Sequence, residues 1–317
     1  MNSCLKAVFA AALSAFAASG LAAQDWTPPG PIQLMIGFAA GGGADSQARL
    51  IAEELQNVHG WEIIPENVTG RGGLNLAAEM RGGATDGTLI GLVVTETLGY
   101  NLAAAPDAGM QTSDFTGLTT TAGFQMGIVS RTDRGWASFE DMIAAAEGGE
   151  QVRFGVMSSR LADLAYLLSI AQDVNFNIVE VRGGRAVMDG VNAGDLDVGF
   201  MAGIQRNGVA SGDLVNLASA MDEALVQTPD APTLPSLGVP FTGGGHFVFV
   251  APAGIDAAAR DALTSAIVEI VSDPDTEAGA LIARAFGGPS IISGDALDEH
   301  LQASFDDAGE LLTAVSE

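Results

Sequence analysis

The sequence predicts an α/β protein with largely parallel sheets spread over two domains. Three observations carry that prediction. Short apolar runs alternate with helical patterns from end to end. Glycine-rich connections mark four strand-to-helix junctions. The length, 317 residues, exceeds what one compact core usually encloses. A single sheet of ten or more strands would also satisfy the alternation, but two domains suit the length better. No internal repeat of short period and no low-complexity tract interrupts the pattern.

Taken in order, residues 1–23 read as a secretory signal. Lys6 supplies the positive start, Ala7 to Ala18 form an apolar stretch broken by Ser14, and small residues place cleavage near Ala22 or Ala23. The stretch is shorter than the roughly 20 apolar residues a spanning helix needs. A lipid-anchored form would need a cysteine at the end of that run, but the single Cys4 precedes it. Export without cysteine leaves ordinary hydrophobic cores to hold the fold. Periplasmic localisation is the expectation.

Pro31–Phe38 then reads as a strand. Ser46–Leu55 reads as a helix, because Ala48, Ile51, Ala52 and Leu55 recur at the i, i+3, i+4, i+7 spacing of one face. Further strands are expected at Trp61–Pro65, Leu89–Val94, Phe124–Val129, Val152–Val156, Asn177–Val181, Leu196–Met201, Leu214–Ala218 and Phe247–Val250. Helical patterns fall at Phe139–Ala146, Leu161–Ala171, Ala186–Ala193, Asp256–Val271, Thr276–Phe286 and Asp295–Leu312.

Charge excludes several functions. Asp and Glu number 39 against 13 Lys and Arg, a net charge of −26. Such a surface repels phosphate backbones and anionic headgroups, which argues against nucleic acid and against a peripheral membrane role. Lys6 is the sole lysine. A mature chain without it has no phosphate-loop lysine, Schiff-base lysine or lysine base.

The glycine-rich junctions carry the functional signal. In Phe38-Ala39-Ala40-Gly41-Gly42-Gly43-Ala44-Asp45 the backbone can turn tightly and approach a ligand, and free N–H groups at the helix start face that space. Asp45 suits the N-cap of the following helix. The spacing is not that of a dinucleotide loop, so the reading is an anion cradle or a plain tight turn. Similar junctions occur at Glu66–Gly73, Gly155–Arg160 and Val181–Arg185. Several helix starts would then converge on one crevice, holding a carboxylate by neutral donors.

Assembled catalytic machinery is absent from the pattern. His59, His246 and His300 are too far apart for a metal-ligand spacing, and His246 reads as a turn or crossover residue. Ser158 and Ser159 lack a nucleophile elbow. A secreted hydrolase using Ser158 or Ser159 is the alternative from another class, without a base at recognisable spacing. No cofactor and no metal are expected.

From about residue 31 to residue 312 the chain resembles the extracytoplasmic solute receptors of tripartite tricarboxylate transporters, the Bug family. The resemblance rests on Pro31–Arg49 (PIQLMIGFAAGGGADSQAR), Glu66–Gly73 (ENVTGRGG), Asp86–Leu89, Arg182–Gly184, Gly194–Asp197, Ala231–Leu234 and Ala251–Gly254, in the family's order. It implies a two-lobed periplasmic-binding-protein fold of type II character with the ligand cleft between lobes. Lobe 1 would hold residues 24–123 and 246–317, and lobe 2 residues 124–245.

The resemblance also implies capture of a small carboxylate by lobe closure, with membrane permease subunits as partners and a monomeric receptor. Carried over, the ligand contacts are Phe38, Ala39, Ala40, Gly43, Asp45, Thr95 and Thr97 from lobe 1. From lobe 2 they are Ser158, Ser159, Arg182, Gly183 and Gly184, with Ala202 and Gly203 near the cleft. Glu180-Val181 replaces the family's Pro-Tyr pair, Leu74-Asn75-Leu76 replaces Asn-Ile-Gly, and Asp86-Gly87-Thr88 is a shortened Asp-Gly-Tyr-Thr. These departures bear on substrate choice.

Overall fold

A computed structural model of the chain describes residues 26–316. The export segment expected over residues 1–23 lies outside the described residues. In chain order the elements are β1 (Ile32–Ile36), α1 (Gly43–His59), β2 (Ile63–Asn67), α2 (Leu74–Met80), β3 (Leu89–Val94), α3 (Thr95–Leu98), α4 (Tyr100–Ala103) and β4 (Phe115–Gly123). There follow β5 (Met126–Arg131), α5 (Phe139–Glu147), β6 (Arg153–Val156), α6 (Ser159–Ala171), β7 (Asn177–Glu180), α7 (Gly183–Ala193), β8 (Val198–Ala202), α8 (Arg206–Ser211) and β9 (Leu214–Ser219). The chain closes with β10 (His246–Pro252), α9 (Ala257–Ser272), α10 (Glu277–Phe286) and α11 (Asp295–Ala314).

These strands make two five-stranded sheets, in the orders β2-β1-β3-β10-β4 and β7-β6-β8-β5-β9. The two orders follow one plan. Three parallel strands linked by helices come first (β2, β1, β3 and β7, β6, β8). A strand antiparallel to both its neighbours then separates them from the last strand. That strand is β10 in one sheet and β5 in the other. The sheets are therefore mixed rather than largely parallel. The inserted strands arrive from the opposite sheet: the chain crosses at 124–125 from β4 to β5, and returns between β9 and β10.

Each sheet is covered on both faces, as buried parallel strands require. Ile32, Leu34 and Ile36 of β1 pack with Ile51 and Leu55 of α1 and Ile267 of α9. Met35, on the opposite face of the same strand, packs with Leu76 and Met80 of α2 and Leu297 and Leu301 of α11. In the second sheet, Phe154 and Phe200 pack with Leu164 and Leu168 of α6. Val129 packs on the other side with Val187 and Val191 of α7. The later half of α11 joins this second core, since Ala308 and Leu311 cluster with Phe139 and Phe154.

Candidate functional site

The site is built where strands of the two sheets end and helices begin. After β1, the chain runs through Phe38 and the three glycines into α1. Gly42 is the N-cap of α1, and Asp45 is the third residue of the first turn rather than the cap. Its carboxylate reaches back to the Gly41 N–H (2.9 Å), and takes further hydrogen bonds from Arg49 Nε (2.9 Å) and Asn67 Nδ2 (2.8 Å). Asn67 also donates to the Phe38 carbonyl at 2.9 Å. Burial alone would raise the Asp45 pKa, but these hydrogen bonds outweigh it and hold the carboxyl below its usual range. Asp45 thus folds the loop, while the backbone of Ala39, Ala40 and Gly43 stays exposed at its crest.

Thr95 and Thr97 leave β3 and are buried. Thr95 Oγ1 accepts from the His246 N–H at 3.1 Å, and Thr97 Oγ1 donates to the Gly72 carbonyl at 2.8 Å. Both hydroxyls tie the strand exit to neighbouring loops. Between them lies Glu96, which the sequence reading did not single out. Its carboxylate meets Ser158 and approaches Arg160 Nη1 at 3.9 Å, so the exit of β3 touches the exit of β6. Burial raises the Glu96 pKa, against the attraction of Arg160 and the Ser158 hydrogen bond. Arg160 is held in turn by the carbonyls of Thr242 (2.6 Å) and Gly244 (3.0 Å) on the returning crossover. One helix turn further on, Tyr100 Oη donates to Asp163. An acid flanked by two threonines at a strand end was the available signal for Glu96.

On the second sheet, Ser158 caps α6, accepting from Leu161 N–H at 3.4 Å, and Ser159 opens the helix. Arg182 is the N-cap residue of α7 with an exposed side chain. Gly183 and Gly184 begin that helix, and Gly184 packs beside Met157 at the end of β6. Ala202 ends β8. Gly203, at φ +108°, lies so close to the other sheet's helices that a Cβ there would meet the Ala285 carbonyl at 2.8 Å. Phe286 lies against Gly43 on its other side.

The structure therefore brings the first-loop residues and the Gly203 turn together around Phe286. It joins Ser158 to the β3 exit through Glu96. Gly184 stands beside Met157 at the end of the second sheet, with Arg182 and Gly183 just before it in the chain.

The hydrolase alternative finds no support in this geometry. Ser158 faces a carboxyl and a helix N-terminus, and no imidazole reaches it: His59 stacks on Trp61, and His246 lies against His300. His246 Nε2 does bond Ser290 Oγ at 3.1 Å, but its Nδ1 has no partner to orient it. Burial, and then the neighbouring His300, lower its pKa to about 4, which makes it a weak base. Among the described residues no cluster of His, Cys, Asp and Glu suits a metal.

Two sheets of one plan, two crossings between them and loop–helix junctions meeting at the divide define a two-lobed solute-binding protein. Residues 47–282 match the TctC family, described as the tripartite tricarboxylate transporter family receptor, and the chain belongs to that family. Among curated relatives, it is 27% identical over 253 residues to Protein BugT of Bordetella pertussis, covering 76% of this chain and 77% of that one. Among solved structures, MatC of Rhodopseudomonas palustris with bound malate superposes with a TM-score of 0.74 at 19% identity, covering 90% of this chain and 99% of the other. A second R. palustris protein, with adipate, gives 0.77 at 19% identity over 91% and 98%. At that identity the two structures speak for the fold.

Proposed function

We propose that the protein is an exported, non-enzymatic receptor that captures a small organic carboxylate and presents it to membrane permease subunits. In this reading lobe 1 comprises residues 24–123 and 246–317, lobe 2 residues 124–245, and the cleaved receptor is a monomer. The carrying observation is the meeting of the two sheets' strand exits: the Phe38–Asp45 loop, Ser158, and the Gly203 turn lie around one divide. Family membership and the malate and adipate named for the fold relatives support a carboxylate as ligand.

The carboxylate would be met by backbone N–H groups of Ala39, Ala40, Gly43 and Gly184 and by the Ser159 hydroxyl, since the Gly183 N–H donates to the Val181 carbonyl at 3.0 Å and the Ser158 hydroxyl bonds Glu96. Arg182 would swing in as the lobes close. Closure shifts population toward the closed form by the ligand's differential affinity for it.

A thermal-shift screen of the cleaved protein against mono-, di- and tricarboxylates and their neutral amides tests this. At ligand a thousandfold above Kd, stabilisation is about 4 kcal/mol, a rise of roughly 8 °C or more for a chain of this size. Amides should leave the midpoint unmoved, and Arg182→Ala should weaken the best carboxylate about tenfold. A flat response to every carboxylate would overturn the carboxylate assignment. Unchanged affinity in Arg182→Ala would remove that residue from the site.

A further inference from the structure

Beside this divide, sharing Phe286 with it, lies a cavity of about 360 Å³ that none of the sequence-predicted site residues line. Both crossings bound it, through Gly123–Gln125 on one side and Gly245–His246 on the other. Its remaining walls come from the segment after β8, the 221–227 loop after β9, and the 286–290 segment after α10. Its chemistry is unlike that of the surface around it. The chain has 39 acidic residues, yet no Asp or Glu lines this cavity. Arg206 does.

Eight of the twelve arginines pair with a carboxylate among the described residues. Of the four that do not, Arg71, Arg182 and Arg284 are exposed, whereas Arg206 is half-buried. Its one side-chain hydrogen bond is a long one, 3.5 Å from Nη1 to the Ala283 carbonyl. A guanidinium drawn partly out of water, with five donors and no acid beside it, is a ready partner for an anion. His246 is neutral at pH 7 and adds no competing charge. Phe124, Met221, Leu225 and Phe286 give the lining a large apolar share, among polar side chains that include Asn216 and Gln227.

We infer that this hinge cavity is a second binding site, for an organic monocarboxylate with a compact apolar body, with Arg206 taking the carboxylate. Met221, Leu225 and the two phenylalanines take the body. Because both crossings line the cavity, a change in the angle between the sheets changes its shape. Occupancy there and closure at the divide are then linked, each altering the other's affinity by the same factor.

Two methionines report on the two places: Met221 lines the cavity, and Met157 stands beside Gly184 at the divide. The protein is labelled with 13C-methyl methionine, and the two resonances are assigned with Met221→Leu and Met157→Leu. It is then titrated with phenylacetate, with its neutral isostere phenylacetamide, and with sodium sulfate. Phenylacetate is expected to shift the Met221 signal saturably. Phenylacetamide should not, sulfate should compete only weakly, and Arg206→Gln should weaken the effect at least tenfold while leaving Met157 responses to cleft carboxylates intact.

No saturable Met221 shift, an equal effect of the amide, binding of sulfate in place of phenylacetate, or full retention in Arg206→Gln would each overturn the inference. Phenylacetate that moves Met157 alone would overturn this inference and leave the cleft reading standing, whereas a Met221 shift with phenylacetate while no carboxylate moves Met157 would do the opposite.

Discussion

The carboxylate of Asp45 joins the Gly41 N–H, Arg49 and Asn67, and through Asn67 the Phe38 carbonyl, so one side chain fixes both ends of the first glycine-rich loop. Asp45→Ala should destabilise the protein by about 2 kcal/mol, since it removes a buried acceptor and leaves the Gly41, Arg49 and Asn67 donors without it. Denaturant unfolding would show this, with ligand affinity falling further than stability. His246 gives a pH effect of known sign. Its pKa is lowered to about 4 by burial and then by His300, below the unfolded value near 6.5. Its contribution is therefore complete above pH ~6.5 and is lost as pH falls toward 4, where charging favours the unfolded chain. Glu96 and Asp163, both raised by burial, act in the opposite direction. The measurement is thus a difference: His246→Gln should flatten the loss of stability between pH 6.5 and 4 by on the order of 2 kcal/mol relative to the parent. Equal slopes would remove His246 as the cause.

Elements were legible in the sequence where burial was apolar. The apolar face of α1 is visible as Ala48, Ile51, Ala52 and Leu55, and the structure extends that helix to Gly43–His59. β4 was not legible. It is a sheet-edge strand whose interior row is Thr119, Thr120 and Thr121, all fully buried. The Thr119 hydroxyl donates to the adjacent Thr120 carbonyl, but the other two are satisfied at a distance, Thr120 on the Ser290 carbonyl and Thr121 on Gln47 Oε1. A composition scan reads such a row as polar, because the partners are 170 and 74 residues away. For the same reason the loop glycines could be picked out in the sequence but the cavity behind them could not: it is made by segments far apart in the chain. The α11 helix could be read as amphipathic, yet not as shared between two cores. Leu301 packs in one and Leu311 in the other. Leu311→Ala and Leu301→Ala should each cost about 3 kcal/mol. Because the helix belongs to both cores, chemical denaturation should remain one transition in either variant; two separated transitions would show that α11 does not couple the halves.

At the scale of the whole molecule, charge dominates. A net −26 spread over the surface repels itself, and added salt screens that repulsion over a Debye length of about 10 Å at 0.1 M. The thermal midpoint should rise between 50 mM and 1 M sodium chloride, and a flat midpoint would show that pairing has already balanced the field. The strand order has a different consequence, which concerns time. β10 lies between β3 and β4, so the first sheet lacks the strand that joins β4 to the rest until residue 252 has been made. A ribosome that has released only the first 125 residues has released a chain with two unpaired sheet edges and nothing to close them. Such a nascent chain cannot lock into its native shape early. If the receptor is exported unfolded, as the proposed function implies, the order of synthesis would itself keep the passenger pliable until its tail has emerged.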